Sequence, residues 1–276
     1  MAPKKLCIVH ANCQGEPLAD FLRRVPGFGD EHEVRLYTNY IREPIPDDEL
    51  ARCDVFLYQH LDEGPRWGEL ASPRLLAKLP TTARSLAVPS MFFRGYWPFW
   101  QGGEKFGFAD EVLERLIAAK LPKSEILRVY LRGNVVPGAE VEERTMRSLA
   151  HERAKEARTP IKYVDLILER FREEMLFNQV NHPGRRLLCH VGREVLRHLD
   201  ADEPEQGVES FMGELYPDFR MPIHPRVAEH WGLGFADEFT EYPVFGKAKT
   251  FARYAENYVD ARLLGIDDLI SYLRLR

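Results

Sequence analysis

The sequence predicts an α/β protein built on a doubly wound parallel sheet flanked by helices, with additional helices in its second half. Three observations carry this. Short apolar strands alternate with amphipathic helices from Leu6 onward, the spacing that βαβ units produce. The run Asp54-Val55-Phe56-Leu57-Tyr58-Gln59 is apolar without strict alternation, as in a strand covered on both faces. The 276 residues, 45% hydrophobic and 29% charged, suffice to bury a sizeable core. Residues 1–276 therefore read as a single α/β domain, with 104–160 as a candidate helical insertion.

The elements follow in order. Leu6-Cys7-Ile8-Val9-His10 is a first strand, broken by the turn Ala11-Asn12-Cys13-Gln14-Gly15. A helix then opens at Pro17, whose fixed φ suits a first helical position, and runs through Leu18, Phe21, Leu22 and Val25 to Pro26-Gly27. Glu33 to Tyr37 alternates as a second strand, Asp54 to Gln59 is a third, and Arg84 to Val88 is a fourth, stopped by Pro89. Asp110 caps a helix carrying Val112, Leu113, Leu116 and Ile117, which Leu121-Pro122 ends. Glu140 to Ala157 is dense in charge and reads as a solvated helix. Ile161 to Phe177 reads as one amphipathic helix, and Arg185 to Leu199 as another, with the loop Asn178 to Gly184 between them.

Composition excludes several classes. A net charge of -5 lacks the basic surplus of a nucleic-acid protein. No run of about 18 apolar residues marks a membrane span, and Met1-Ala2-Pro3-Lys4-Lys5 leads straight into a strand without a signal-peptide core. The expectation is a cytoplasmic protein. Its four cysteines are scattered without a C-x-x-C pair, and the nine histidines lack ligand spacing, so reduced thiols and no metal are expected.

Cys13 is the one cysteine on a turn. At the carboxyl edge of a parallel sheet, where ligands gather, it faces the N-terminus of the following helix. That dipole and its unpaired N–H groups favour thiolate over thiol and can hold an oxyanion. Asn12, Gln14, Gly15 and Gln59 are the candidate oxyanion and positioning residues. His182, in Asn178-Gln179-Val180-Asn181-His182-Pro183-Gly184, is the chosen base, because a residue before proline is held extended and can present its ring. His10, His60 and His224 are the other candidate histidines.

The Asn12-Cys13-Gln14 turn, Tyr58-Gln59, Pro89-Ser90 leading to Gly95-Tyr96-Trp97-Pro98, and Asn181-His182-Pro183 resemble, in that order, WcbI-type capsular polysaccharide biosynthesis proteins. Where that family carries glycine before Asn-Cys-Gln, this chain has Ala11. The resemblance implies a fold related to the SGNH hydrolases, flavodoxin-like in its sheet. It also implies coenzyme A, with acetyl-coenzyme A as acyl donor, and O-acetyl transfer to a sugar of a capsular or other surface polysaccharide. On the SGNH plan Cys13 stands where a serine nucleophile would be, and the late Asp-x-x-His element falls on Gln179-Val180-Asn181-His182, an amide in place of the acid. A cysteine needs less help from that third residue than a serine does, so the two replacements agree. Gln179 then orients the imidazole unless Asp165 or another carboxylate approaches.

Arg185 and Arg186, at the start of a helix, are the best-placed phosphate ligands, ahead of Arg94, Lys247 and Lys249. The aromatic stretch Met91 to Gly103, with Tyr96 and Trp97, could wall a cofactor pocket, pack as a satellite core, or dock on a membrane-associated polysaccharide-synthesis complex. Two other function classes use the same residues: a sugar O-deacetylase or thioesterase, and a non-catalytic subunit that binds coenzyme A or glycan.

Overall fold

The computed structural model describes residues 3–102 and 106–276. Gly103, the end of the aromatic stretch, and Glu104, the start of the expected insertion, lie outside the described residues, as do Met1 and Ala2. The elements are β1 (Lys5–Ala11), α1 (Gly15–Arg24), α2 (Phe28–Glu31), β2 (His32–Thr38), α3 (Asp47–Ala51), β3 (Cys53–Gln59), α4 (Ser72–Leu76), β4 (Arg84–Val88), β5 (Trp100–Gln101) and β6 (Ala109–Asp110). They continue with α5 (Glu111–Ala118), α6 (Lys123–Arg132), α7 (Gly138–Glu156), α8 (Val164–Arg170), β7 (Phe177–Gln179), β8 (His182–Pro183), α9 (Arg185–His198), α10 (Pro225–Trp231), β9 (Glu241–Val244), β10 (Lys247–Thr250), α11 (Phe251–Leu263) and α12 (Leu269–Leu275).

The chain divides into two compact units: Met1–Met91 with Glu152–Leu168 and His182–Leu215, and Phe92–His151 with Glu169–Asn181 and Tyr216–Arg276. The first holds a four-stranded parallel sheet in the order β2-β1-β3-β4. With β1 central, both its faces must be apolar. Leu6 and Ile8 join Phe56 beneath Leu50 of α3 and Leu75 of α4. Cys7, Val9 and Ala11 alternate with them and face the other way. There α1 lies so close that a Cβ on Gly15 would stand 2.7 Å from the Ala11 methyl and 2.8 Å from Leu36. Beside it, a Cβ on Gly192 of α9 would stand 2.8 Å from the Phe21 ring.

Arg84, the first residue of β4, fixes the direction of α9. Its guanidinium donates to the carbonyls of Leu199 at 2.8 Å and His198 at 2.7 Å, and to Asp200 at 2.8 Å. The C-terminus of α9 is thereby tied to the amino edge of the sheet. Its fourteen residues span about 21 Å at 1.5 Å each, the length of the strands it covers. Its N-terminus accordingly reaches the carboxyl edge.

The second unit is helical, with a two-stranded antiparallel pairing of β9 with β10 and another of β5 with β6. Asp110 caps α5 as expected, its Oδ1 accepting the N–H groups of Val112 and Leu113, each at 2.9 Å.

Three expectations are corrected. The helix expected over Ile161 to Phe177 is only α8, followed by a turn and the short strand β7. It starts late because the Glu156 carboxylate accepts the N–H groups of Tyr163 at 2.6 Å and Val164 at 2.8 Å. Past its end, the Tyr96 hydroxyl donates to the carbonyl of Phe171 at 2.7 Å and engages that of Glu174 at 3.0 Å, holding the turn. The expected loop from Asn178 to Gly184 includes strand residues of β7 and β8. The solvated helix, α7, buries Val141, Thr145, Leu149, Glu152 and Glu156. Burial of those carboxylates is offset by hydrogen bonds, Glu152 taking Lys155 at 2.8 Å and the Tyr163 hydroxyl at 3.0 Å.

Candidate active site

The turn after β1 is held by its own amides and by two glutamines. Asn12 Oδ1 accepts the Gln14 N–H at 2.9 Å, and the Asn12 carbonyl accepts the Gly15 N–H at 2.8 Å. This Asx turn brings the chain directly into α1. Gln59, buried at the end of β3, accepts the Asn12 N–H at 2.8 Å and donates to the Pro89 carbonyl at 3.0 Å. Gln14 accepts the Met91 N–H at 3.0 Å and donates to the Met91 carbonyl at 2.7 Å. Asn12 Nδ2 reaches Ser90 Oγ at 3.4 Å. The ends of β1, β3 and β4 are thus stitched into one platform.

Cys13 sits on that platform, partly exposed. Burial pushes its thiol up to about 11, although the N–H groups of Cys13 and Gln14 pull the other way. The expected resting thiolate is corrected: the cost of removing a charged sulfur from water exceeds the help of the helix terminus. Cys7, Cys53 and Cys189 are buried, as their places in strands and helix suggest.

His182 precedes α9 and is brought by that helix to the carboxyl edge of the sheet, the edge that carries Cys13. Burial lowers its ring to about 4, so the imidazole is neutral at physiological pH and able to take a proton. His10 is fully buried on β1, stacked on Phe56 at a centroid distance of 6.4 Å, on the face opposite α1. His60 pairs with Asp62 at 3.3 Å, and His224 caps α10 by accepting the Arg226 N–H at 3.1 Å.

The family model of the polysaccharide biosynthesis enzyme WcbI matches residues 6–204, which include both Cys13 and His182. The chain belongs to the WcbI polysaccharide biosynthesis enzyme family. It is similar to a solved structure of WcbI, described as a novel polysaccharide biosynthesis enzyme in its native form without a disulfide bond between coenzyme A and a cysteine. The two are 20% identical with a TM-score of 0.76, over 99% of this chain and 91% of that one. Among curated proteins, none matches.

In this WcbI-family chain the remaining sequence candidates have mixed surroundings. Gln59 was expected as an oxyanion donor, but its amide is bound to the Pro89 carbonyl. The Gly15 and Gln14 N–H groups are likewise taken by Asn12. Tyr96 and Trp97 are buried, and the Trp97 indole donates to the Pro222 carbonyl at 2.9 Å. Arg94 is half-buried and donates to the carbonyls of Pro98 and Trp100. Gln179 donates to the Phe219 carbonyl at 3.2 Å, and Asp165 is exposed in an ion pair with Arg153. Lys249 is buried on Asn257 at 3.0 Å, whereas Lys247 is exposed.

Arg185 and Arg186 are exposed in the first turn of α9, where no side chain caps the helix and no acidic residue stands. Arg185 also donates to the Glu209 carbonyl. Sequence reasoning missed Asn39 and the anchoring roles of Ser90 and Met91, whose partners lie far away along the chain. Among the described residues there is no group of three His, Cys, Asp or Glu side chains able to hold a metal, and no helix is long and apolar enough to cross a membrane.

Proposed function

We propose that this protein transfers an acetyl group from acetyl-coenzyme A to a hydroxyl of a capsular or other surface-polysaccharide sugar, with His182 as the base and Cys13 as either a positioning residue or the nucleophile. The observation that carries the reading is the shared carboxyl edge of Cys13, at the head of α1, and His182, before the head of α9. Family membership supports the polysaccharide context, and the WcbI structure described with coenzyme A and a cysteine supports coenzyme A as the donor's carrier. The sheet order with a nucleophile-bearing turn after β1 also supports an SGNH-hydrolase-like frame.

The donor's phosphates need cations and N–H groups. The uncapped first turn of α9 with Arg185 and Arg186 fits that need. Near the reacting carbonyl, the Asn12 amide, whose bond to Ser90 is a long 3.4 Å, is the proposed oxyanion donor.

Cys13, protonated at rest, favours direct transfer. His182 takes the acceptor hydroxyl proton as the C–O bond forms and the thioester C–S bond breaks, then returns that proton to the departing sulfur. In the covalent alternative His182 takes the Cys13 proton as Sγ bonds to the acetyl carbon and passes it to the departing coenzyme A sulfur; it then takes the sugar hydroxyl proton as the C–O bond forms and the C–Sγ bond breaks, and returns that proton to Sγ. Replacing Cys13 with alanine separates the routes. Turnover near normal supports direct transfer, and loss of turnover with coenzyme A binding intact supports the covalent one. The reading itself is tested by melting the protein with coenzyme A, which raises the midpoint by mass action if it binds the native fold. No shift, together with cleavage of acetylated sugar, would make the protein a deacetylase instead.

A further inference from the structure

The loop that follows β2 is anchored to the cysteine platform. The Asn39 N–H donates to the Ala11 carbonyl at 2.9 Å, and Asn39 Nδ2 reaches Gln59 Oε1 at 3.5 Å, the oxygen that also holds the Asn12 N–H. The loop is closed by Arg42 N–H on the Asn39 carbonyl at 3.0 Å and Glu43 N–H on the Thr38 carbonyl at 3.2 Å. Glu43 returns its carboxylate to the Thr38 N–H at 2.8 Å. Asn39 and Glu43, the polar residues flanking the tip, are thereby both engaged.

The tip is Tyr40-Ile41-Arg42. Tyr40 is 61% exposed and Ile41 63% exposed, an aromatic and a branched apolar residue consecutive in sequence. Arg42 is exposed, makes no ion pair among the described residues, and is held in the left-handed region at φ 58. Such a backbone is disfavoured for an arginine, and the closing hydrogen bonds maintain it. The turn keeps Asn39 and Arg42 within about 7 Å, so the tip lies within about 20 Å of Cys13 along the carboxyl edge. It stands on the β2 flank, with β4 and the α9 it carries at the other end of the sheet.

We infer that this tip is the acceptor subsite, and that it takes a sugar bearing an anionic group. Tyr40 and Ile41 receive the C–H face of a pyranose ring, which an aromatic face attracts. The Arg42 guanidinium receives the anion through paired N–H donors. The anion is the phosphate of a glycosyl phosphate or the carboxylate of a uronic acid, chemistries one guanidinium serves alike. This inference rests on the acetyl-transfer reading, whose donor cations stand on α9.

Binding of glucose 1-phosphate, glucuronic acid and glucose to the full chain, followed by saturation-transfer NMR and calorimetry, tests it. Either anionic sugar is expected to bind at least tenfold more tightly than glucose, and the preferred one names the source of the charge. Arg42→Ala brings that sugar to the level of glucose, Arg42→Lys retains part of the preference, and Tyr40→Ala weakens all three sugars severalfold. Equal binding of the three by the unsubstituted protein, or a preference that survives Arg42→Ala, overturns the inference. Coenzyme A is titrated into the unsubstituted protein in the same series: its failure to bind sinks the donor reading, while the sugar titrations judge the tip separately.

Discussion

Gln14 and Met91 exchange two hydrogen bonds, side-chain amide to backbone, at 3.0 Å and 2.7 Å. A single side chain thus behaves as one rung of a β-ladder, joining the cysteine turn to the segment that leaves β4. Because Gln14 and Met91 are both buried, neither backbone group has water to fall back on. Gln14→Ala leaves two buried groups unsatisfied and is expected to cost about 2–4 kcal/mol of stability, read from the urea midpoint at constant slope. A change below about 0.5 kcal/mol would show that the rung is dispensable.

Gly15 is required by space. A methyl there meets the Ala11 Cβ at 2.7 Å and Leu36 at 2.8 Å. Gly15→Ala is expected to destabilise by about 1–3 kcal/mol. Adding Ala11→Gly removes the nearer obstruction and recovers part of the loss, and a double-mutant cycle in denaturant measures the coupling. Strictly additive losses would contradict the contact.

Three histidines make stability depend on pH. Burial lowers His10, His182 and His224 from 6.5 to about 4. Between those values the unfolded chain binds protons that the native fold refuses. Stability is therefore fully present above about pH 6.5 and lost as pH falls toward 4. His10→Phe keeps a ring on Phe56, removes one of these groups, and should flatten the slope between pH 6.5 and 4. An unchanged slope would mean that His10 does not contribute.

Tyr96 is predicted to act as a structural strut. Its hydroxyl serves the Phe171 and Glu174 carbonyls and accepts the Leu176 N–H at 3.3 Å. Tyr96→Phe is expected to cost about 1–3 kcal/mol, seen in the melting midpoint.

The parallel sheet was legible because its strands are covered on both faces, and burial of that kind leaves apolar runs such as Val55 to Leu57 in the sequence. The turn between the first strand and α1 was equally readable, although β1 runs on to Ala11 and α1 starts at Gly15, two residues before Pro17. Helix limits near Ile161 were not, because Glu156 and Tyr96 set them by hydrogen bonds made across the chain. The cysteine's proton followed the same division. A helix terminus is visible in sequence, whereas the burial that outweighs it depends on what packs around the turn. Asn39 carried no signal because its partners, Ala11 and Gln59, lie on other strands.

The protonated thiol has a kinetic signature. Thiolate is the reactive form, so alkylation of Cys13 by iodoacetamide should be slow at neutral pH and keep rising toward pH 11. A rate that levels off below pH 8 would restore the resting thiolate. Buried Cys7, Cys53 and Cys189 are separated from Cys13 by peptide mass mapping.

Acetyl transfer itself is measured most directly by following release of free coenzyme A from acetyl-coenzyme A, with and without a hydroxyl-bearing sugar, in the unsubstituted protein and in His182→Ala. Sugar-dependent release that falls by about 100-fold or more without the imidazole is the predicted result. Release that ignores the sugar, or that is the same in both proteins, would contradict the proposed transfer with His182 as its base.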